Sequence, residues 1–367
     1  MKQNAIIRKP VPSFSCMFYR KNHGADFLFA WEGKVDLMDL NIIAILMAML
    51  GATSQGLLWA VLAIGVYVAF RILNFADMTS EGSFALGGSV CALLIVGYGW
   101  NPFLSLFVSI LAGVMAGAVT GILHTKLKIP AILSGILTMI SLYSVNLKIM
   151  GQANTPLLGN KTILSEIKTI LPTAKELGIK DTLLQTLITL GIGLVFGVIV
   201  ICFLYWFFGT EIGCAIRATG NNEAMVRAQG SNTDFMKTIG LMVGNGLIAL
   251  SGGLVAQTQG YADVTMGVGA IVIGLASIVI GEVIFHRKRS FVSKLVSIFV
   301  GSMIYRVIIA IVLQLGLDTN YLKLLTAVLV AFALSVPVLK AQNSSKKPKF
   351  YDKALKKFRK HKLKEEN

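Results

Sequence analysis

Acidic residues are scarce: Asp and Glu number 18 against 34 Lys and Arg, and charged residues of all kinds make up only 14% of 367 positions. A soluble domain carries about 25% charged residues, so water is excluded as the main solvent. Nucleotide-binding glycines are missing as well. The only Gly-Lys pair, Gly33-Lys34, is followed by Val35, and Leu28 stands where a phosphate-binding loop needs its first glycine; the Walker A pattern is absent, and the chain is expected not to hydrolyse nucleotide. The four cysteines, Cys16, Cys91, Cys202 and Cys214, share no spacing, which argues against a disulfide framework or a metal site. No apolar core follows the basic N-terminus within the first thirty residues, so a cleavable signal peptide is not expected. No cofactor is expected in the chain itself.

What is abundant is uncharged apolar chain. Gly82 to Thr125, Ile129 to Leu147, Leu183 to Phe208, Thr238 to Ala262 and Val264 to Gly281 contain no Asp, Glu, Lys or Arg, and each matches or approaches the roughly 20 residues that cross a bilayer as a helix. The first is long enough for two passes. The net charge of +16 would suggest nucleic acid in a soluble protein, but here the cations sit in short loops and a tail, so no nucleic-acid partner is expected. From Lys340 onward eleven Lys and Arg face three acids, and the connections His124 to Lys128 and His286 to Arg289 are also basic. The positive-inside rule puts all three in the cytoplasm. Spans read back from the tail are Leu322 to Leu339, Phe291 to Leu317, Gly269 to Phe285, Thr238 to Thr258, Leu183 to Phe208, Ile129 to Leu147, Phe103 to Leu123 and a short Phe84 to Val96, an order that brings the three basic segments to one side.

The sequence predicts an all-α, polytopic helical membrane protein of about 8–10 membrane segments in the plasma membrane, with a cytoplasmic C-terminus. Residues 1–40 form an atypical extension, 41–340 the membrane domain and 341–367 a basic tail, which lies either in solvent or, through Phe350, Ala354, Leu355 and Phe358, on anionic lipid. The N-terminal end has two readings. Ile42 to Phe70 is interrupted by the polar Gly51 to Gly56, and a single span there leaves the net-basic extension outside; either a re-entrant first segment or a translation start at Met38 or Met47 resolves the conflict. The connection from Lys148 to Thr182 could cap a pore.

Three intramembrane charges stand out, because such residues usually face a bundle interior or water. Arg306 lies about 22 Å along its span from Phe291, facing the interior or anchoring at the outer surface. Asp77 and Glu81 fall in the polar break Asn74 to Ser83, either a discontinuous-helix lining of a solute pathway or a turn capped by Thr79 or Ser80. Arg306 is expected to pair with Asp77 or Glu81, or to hold a substrate carboxylate. Asn74, Thr79, Asn245, Gln257 and Gln259 complete the pathway set, although intramembrane amides also serve as interhelical bonds. Glycines four apart, at Gly113, Gly117 and Gly121, at Gly193 and Gly197, and at Gly240 and Gly244, predict close helix packing.

In the cytoplasmic loop 209–237, Asn222 before Glu223 reads as an N-cap with an acid in the first turn, and Gly230 as a C-cap residue. The two-turn helix between them is marginal alone, and Ala224, Met225, Val226 and Ala228 suit a partner's groove as well as an ordinary connector. The run Glu211-Ile212-Gly213, Arg217-Ala218, Asn221-Asn222, Ala224 and Gly230-Ser231-Asn232, followed by Leu250-Ser251-Gly252-Gly253-Leu254, resembles the coupling loop and next helix of ABC permeases of the branched-chain amino acid and ribose type. Gly65-Val66-Tyr67, Asn74-Phe75-Ala76 and Gly82-Ser83-Phe84 extend this resemblance, and within the group Phe70 to Asp77, Leu123 to Pro130, Gly135 to Met139 and Leu157-Leu158-Gly159 are similar to a subgroup associated with tryptophan or other small-solute import. The resemblance spans roughly Gln55 to Leu339. It implies an ABC importer permease fold, a coupling helix over Thr219 to Gly230 with Arg217, Asn221, Asn222, Glu223, Ala224, Met225, Arg227 and Gly230 at the motor contact, a separate cytoplasmic ATPase holding the ATP, an external solute-binding protein, and a second permease copy. The branched-chain type usually has His-Gly after Asn-Phe-Ala, whereas Asp77-Met78 stands here, so substrate identity does not carry over. The alternative is an ion-coupled secondary transporter or channel using Asp77, Glu81 and Arg306.

Overall fold

Long apolar stretches with no internal proline become helices because a bilayer leaves backbone groups no partner outside the helix itself. The computed structural model describes residues 42–171, 180–285 and 290–314, with isolated positions at 324, 326–328, 330, 331 and 335. The N-terminal extension, the basic tail, most of the expected last span and the His286 to Arg289 loop lie outside the described residues. The helices are α1 (Ile42–Tyr67), α2 (Thr79–Ala92), α3 (Pro102–Thr125), α4 (Ala131–Met150), α5 (Ile163–Ile170), α6 (Asp181–Phe207), α7 (Glu211–Asn221), α8 (Glu223–Ala228), α9 (Thr233–Gln259), α10 (Ala270–Ile284) and α11 (Phe291–Gln314). π-Helical turns extend α1 through Val68–Ile72 and α2 through Leu93–Gly97. Among the described residues, 7 helices are long and apolar enough to cross a membrane, and α10 is a shorter apolar helix.

The polar stretch Gly51 to Gly56 does not break α1, so the re-entrant start is not what forms. Its hydroxyls turn back onto the helix: Thr53 donates to the Leu50 carbonyl (2.7 Å) and Ser54 to the Gly51 carbonyl (2.8 Å), a local bond that satisfies a polar side chain without unwinding the backbone. The second span starts at Thr79 rather than Phe84, because its polar first turn is buried against neighbouring helices.

Glycine sets the packing. A Cβ on Gly113, Gly117 or Gly121 would run into Asn245 and Ala249, Leu241, or Thr238 respectively, so this face of α3 lies directly on α9. A Cβ on Gly193 would meet Leu57 at 2.6 Å, and one on Gly197 the Phe299 ring, which seats α6 against α1 and α11. The main apolar core runs along α1, where Leu58, Leu62, Ile64 and Val66 are fully enclosed, into Ile248 and Leu254 of α9 and Ile278 of α10. Strands β1 (Asn154–Pro156) and β2 (Tyr261–Asp263) pair antiparallel with Thr155 opposite Ala262. With α5, capped by Thr162, they give the connection after α4 a fixed structure.

The turns sort into two ends. Lys128 pairs with Asp234 (3.2 Å), Arg71 with Glu282, and the Arg217 guanidinium lies 5.3 Å over the Phe291 ring, so the α1–α2, α3–α4, α6–α9 and α10–α11 connections share one end. At the other, Leu157 donates to the Gly260 carbonyl (2.8 Å), and Gln257 donates to the Pro102 carbonyl (3.1 Å).

Candidate functional site

Two groups of polar residues stand apart from the apolar framework: one inside the bundle and one at the end that carries Lys128, Arg71 and Arg217.

The inner group begins where α1 stops. Asn74 takes a left-handed conformation at φ 54°, reversing the chain so that Asp77 points inward and is completely buried. Asp77 Oδ1 accepts the Thr79 backbone N–H (3.0 Å), and its Oδ2 accepts from Asn245 Nδ2 (2.7 Å). Asn245 Oδ1 in turn accepts the Ser83 hydroxyl (2.7 Å). Thr79, Thr120 and Thr138 form a hydroxyl chain across α2, α3 and α4, at 2.6 and 3.0 Å. Glu81 Oε1 accepts the Gly269 N–H (2.9 Å) at the N-terminal end of α10, where a helix dipole favours a carboxylate. Irregular backbone on both sides of α2 and α10 is therefore closed off by side chains, as a bilayer requires.

Arg306 pairs with neither Asp77 nor Glu81, contrary to expectation. Asp77 is already engaged with Asn245 and Thr79, and Glu81 caps α10. The Arg306 guanidinium instead lies 4.2 Å over the Trp59 ring, and its Nε has no hydrogen-bond partner. Gln257 bridges Ser105 (3.2 Å) and the Pro102 carbonyl through Nε2, and its Oε1 accepts the Ile163 N–H (3.1 Å); it ties α3, α5 and α9 together. Gln259 is exposed and Asn74 faces the opposite end from it, so the expected pathway set does not converge on one place. The sequence reading missed Trp59 and Gln55, although the polar stretch containing Gln55 was visible, and it missed Thr120 and Thr138, which only tertiary contact brings to Thr79. Among the described residues no group of three His, Cys, Asp or Glu could hold a metal ion.

At the other group, the capped two-turn helix expected between Asn222 and Gly230 is α8, and the coupling helix that the resemblance implies over Thr219 to Gly230 is divided at Asn222. The chain is extended at Asn222 (φ −153°, ψ 94°), which ends α7 and caps α8 by accepting the Met225 N–H (3.1 Å). Gly230, at φ 83°, turns the chain out of α8. Val226 packs inward while Met225 is 47% exposed. Glu223 binds Lys237 of α9 (2.7 Å) and Arg227 (2.9 Å), and Arg227 also reaches Asp234 (3.4 Å). The hydrogen bond from Lys237 holds the Glu223 carboxyl below its ordinary pKa, with Thr233 and Arg227 adding to the effect against modest desolvation. Beside this loop, Arg71, Asn74, Arg217, Asn221 and Lys294 line a crevice of about 420 Å³.

Residues 48–334 match the family described as "Branched-chain amino acid transport system / permease component". The chain belongs to this family. The permease is 38% identical over 305 residues to a "Tyrosine transport system permease protein" of Clostridioides difficile (strain R20291), covering 82% of this chain and 96% of the relative. It is also 32% identical over 287 residues to an uncharacterized protein of Rickettsia prowazekii (strain Madrid E), covering 77% and 95%. Among solved structures, PsaBC from Streptococcus pneumoniae in complex with Fab aligns at 16% identity and a TM-score of 0.30, covering 71% of this chain and 88% of that one; at that score it bears no weight here. The permease is thus a multi-pass membrane component of an ABC amino acid transport system, as its helices and its family both indicate.

Proposed function

We propose that this permease is the membrane subunit of an ATP-driven importer of an amino acid, with L-tyrosine the first solute to test because a relative carries that description. The single observation that carries the motor side of the reading is α8. A six-residue helix does not hold itself together, yet α8 is bolted to the first turns of α9 through Glu223, Lys237, Arg227 and Asp234 while it presents Met225 outward. A push on Met225 is therefore delivered to α9, which carries Asn245 about 12 Å beyond Lys237 along its axis. That suits a coupling element seated in a groove of a separate cytoplasmic ATPase, with Arg217, Asn221, Asn222, Glu223, Ala224, Met225, Arg227 and Gly230 at or behind the contact. The surplus of cations at this end favours its cytoplasmic placement. ATP stays on the partner, an external protein delivers the solute, and a second permease copy completes the pore. Ion-coupled transport through Asp77 and Glu81 is not favoured, since both carboxylates already have donors inside the fold.

The test is Met225→Glu in the native operon context. The variant is expected to reach the membrane at wild-type levels and to lose co-purification with the ATPase together with ATP-stimulated uptake. Full retention of both would overturn the coupling assignment.

A further inference from the structure

Native structures leave few buried polar atoms without a partner. Of the 7 such side-chain atoms among the described residues, five belong to α1 and α11: Gln55 Oε1, Trp59 Nε1, the Ser293 and Tyr305 hydroxyls and Arg306 Nε. Ser293 sits in the first turn of α11, about 20 Å along the helix from Arg306. Tyr305 packs with Ala276 and Ile309. The other three converge. Gln55 and Trp59 are one turn apart on the same face of α1, and Arg306 sits over Trp59. The register is fixed next door, where Ser302 donates to the Gly56 carbonyl (2.8 Å) and a Cβ on Gly56 would meet the Met303 backbone. Arg306 forms no ion pair among the described residues. A ring face attracts a guanidinium less strongly than an unpaired charge is penalised away from water, so the arrangement calls for an anion that arrives from elsewhere.

The unpartnered atoms also state what should arrive. Arg306 and the Trp59 N–H are donors, suited to a carboxylate, and Gln55 Oε1 is an acceptor, suited to an ammonium. Gln55 and Arg306 are themselves only partly buried. One turn beyond Gln55 on the same face is Gly51, and a Cβ there would meet nothing within 4 Å, so the face is open above the cluster. Arg306 stands about 22 Å along α11 from Phe291, far from lipid headgroups at that end.

We infer that Gln55, Trp59 and Arg306 form an intramembrane subsite for the zwitterionic head of an α-amino acid, the carboxylate held by Arg306 and Trp59 and the ammonium by Gln55. The inference rests on the amino acid importer reading and adds where the permease itself recognises the solute.

The experiment measures binding of radiolabelled L-tyrosine to the purified permease–ATPase complex without the solute-binding protein, with tyramine (no carboxylate) and 3-(4-hydroxyphenyl)propionate (no ammonium) as competitors, alongside ATP-driven uptake. The wild type is expected to bind L-tyrosine and to be poorly competed by either analogue. Arg306→Lys should weaken binding by about tenfold or more, and Trp59→Phe and Gln55→Leu by about threefold to tenfold. If Arg306→Lys does not fold, the other two variants decide the matter. Wild-type uptake with unchanged affinity in the variants, or with no binding to the complex, overturns the subsite and leaves the importer reading intact. Uptake of no amino acid at all overturns that reading, and the subsite with it.

Discussion

Replacing Asn245 tests whether the α1–α2 break is held by the bond network or only by packing. Asn245 is fully buried and makes three hydrogen bonds, donating to Asp77 Oδ2 (2.7 Å) and to the Leu241 carbonyl (3.0 Å) and accepting from Ser83 (2.7 Å). Interhelical hydrogen bonds within membranes average only about 0.6 kcal/mol, because the unfolded helices also find partners. A bond to a charged group is worth more, about 1.5–3 kcal/mol. Asp77 is completely enclosed, so once Asn245 is gone its Oδ2 loses the donor held at 2.7 Å and no bulk water replaces it. The larger figure is therefore expected. The measurement is a double-mutant cycle of Asp77→Ala and Asn245→Ala, read by equilibrium unfolding in mixed micelles of rising dodecyl sulfate content. It isolates the pair from the cavity each substitution makes. A coupling energy at or above about 1.5 kcal/mol is expected. A value near the membrane average of about 0.6 kcal/mol would refute the reasoning and leave packing as what holds the break.

Gly252→Val should destabilise the permease severely, since a Cβ there runs into the backbone carbonyl of Phe84, whereas Gly191→Ala, where a Cβ meets nothing within 4 Å, should be neutral or slightly stabilising; overpacking costs about 1–3 kcal/mol, and the same unfolding assay compares the two. The folded pKa of Glu223 is depressed below its ordinary value of 4.5, so its contribution is fully present above that value and is lost as pH falls through the folded pKa. Glu223→Gln should therefore weaken the fold at neutral pH, by less than about 1 kcal/mol because the pair is solvent-screened, and the difference should vanish in acid.

The membrane class and the order of the described spans were legible, because uncharged runs of bilayer length leave few alternatives. The cap at Asn222 and the turn at Gly230 were legible for the same local reason: an amide before Glu223 and a glycine after Gln229 have one main use each. Other features were not. Thr79 to Ser83 reads as a polar break along the chain, yet it is helix, since its hydroxyls and carboxylates are satisfied by Thr120, Asn245 and Gly269, far away in sequence. Gly51 to Gly56 misled in the same way, with Ser302 serving the Gly56 carbonyl from α11. The expected Arg306 ion pair does not form because Asp77 and Glu81 are held by Asn245 and Gly269 while Arg306 lies over Trp59, and periodicity does not reveal that occupancy. What the residues did not show is that Asn222 also ends α7, so that the coupling helix implied by the resemblance is divided at the cap itself.

The central claim, that this permease transports at the expense of ATP hydrolysed by another subunit, is tested most directly by uptake into liposomes holding the permease and its ATPase, with L-tyrosine and the binding protein outside. ATP enclosed within, at the end carrying α8, is expected to drive accumulation that survives collapse of proton and sodium gradients and disappears in Met225→Glu. Accumulation without ATP that follows an imposed ion gradient would contradict the account.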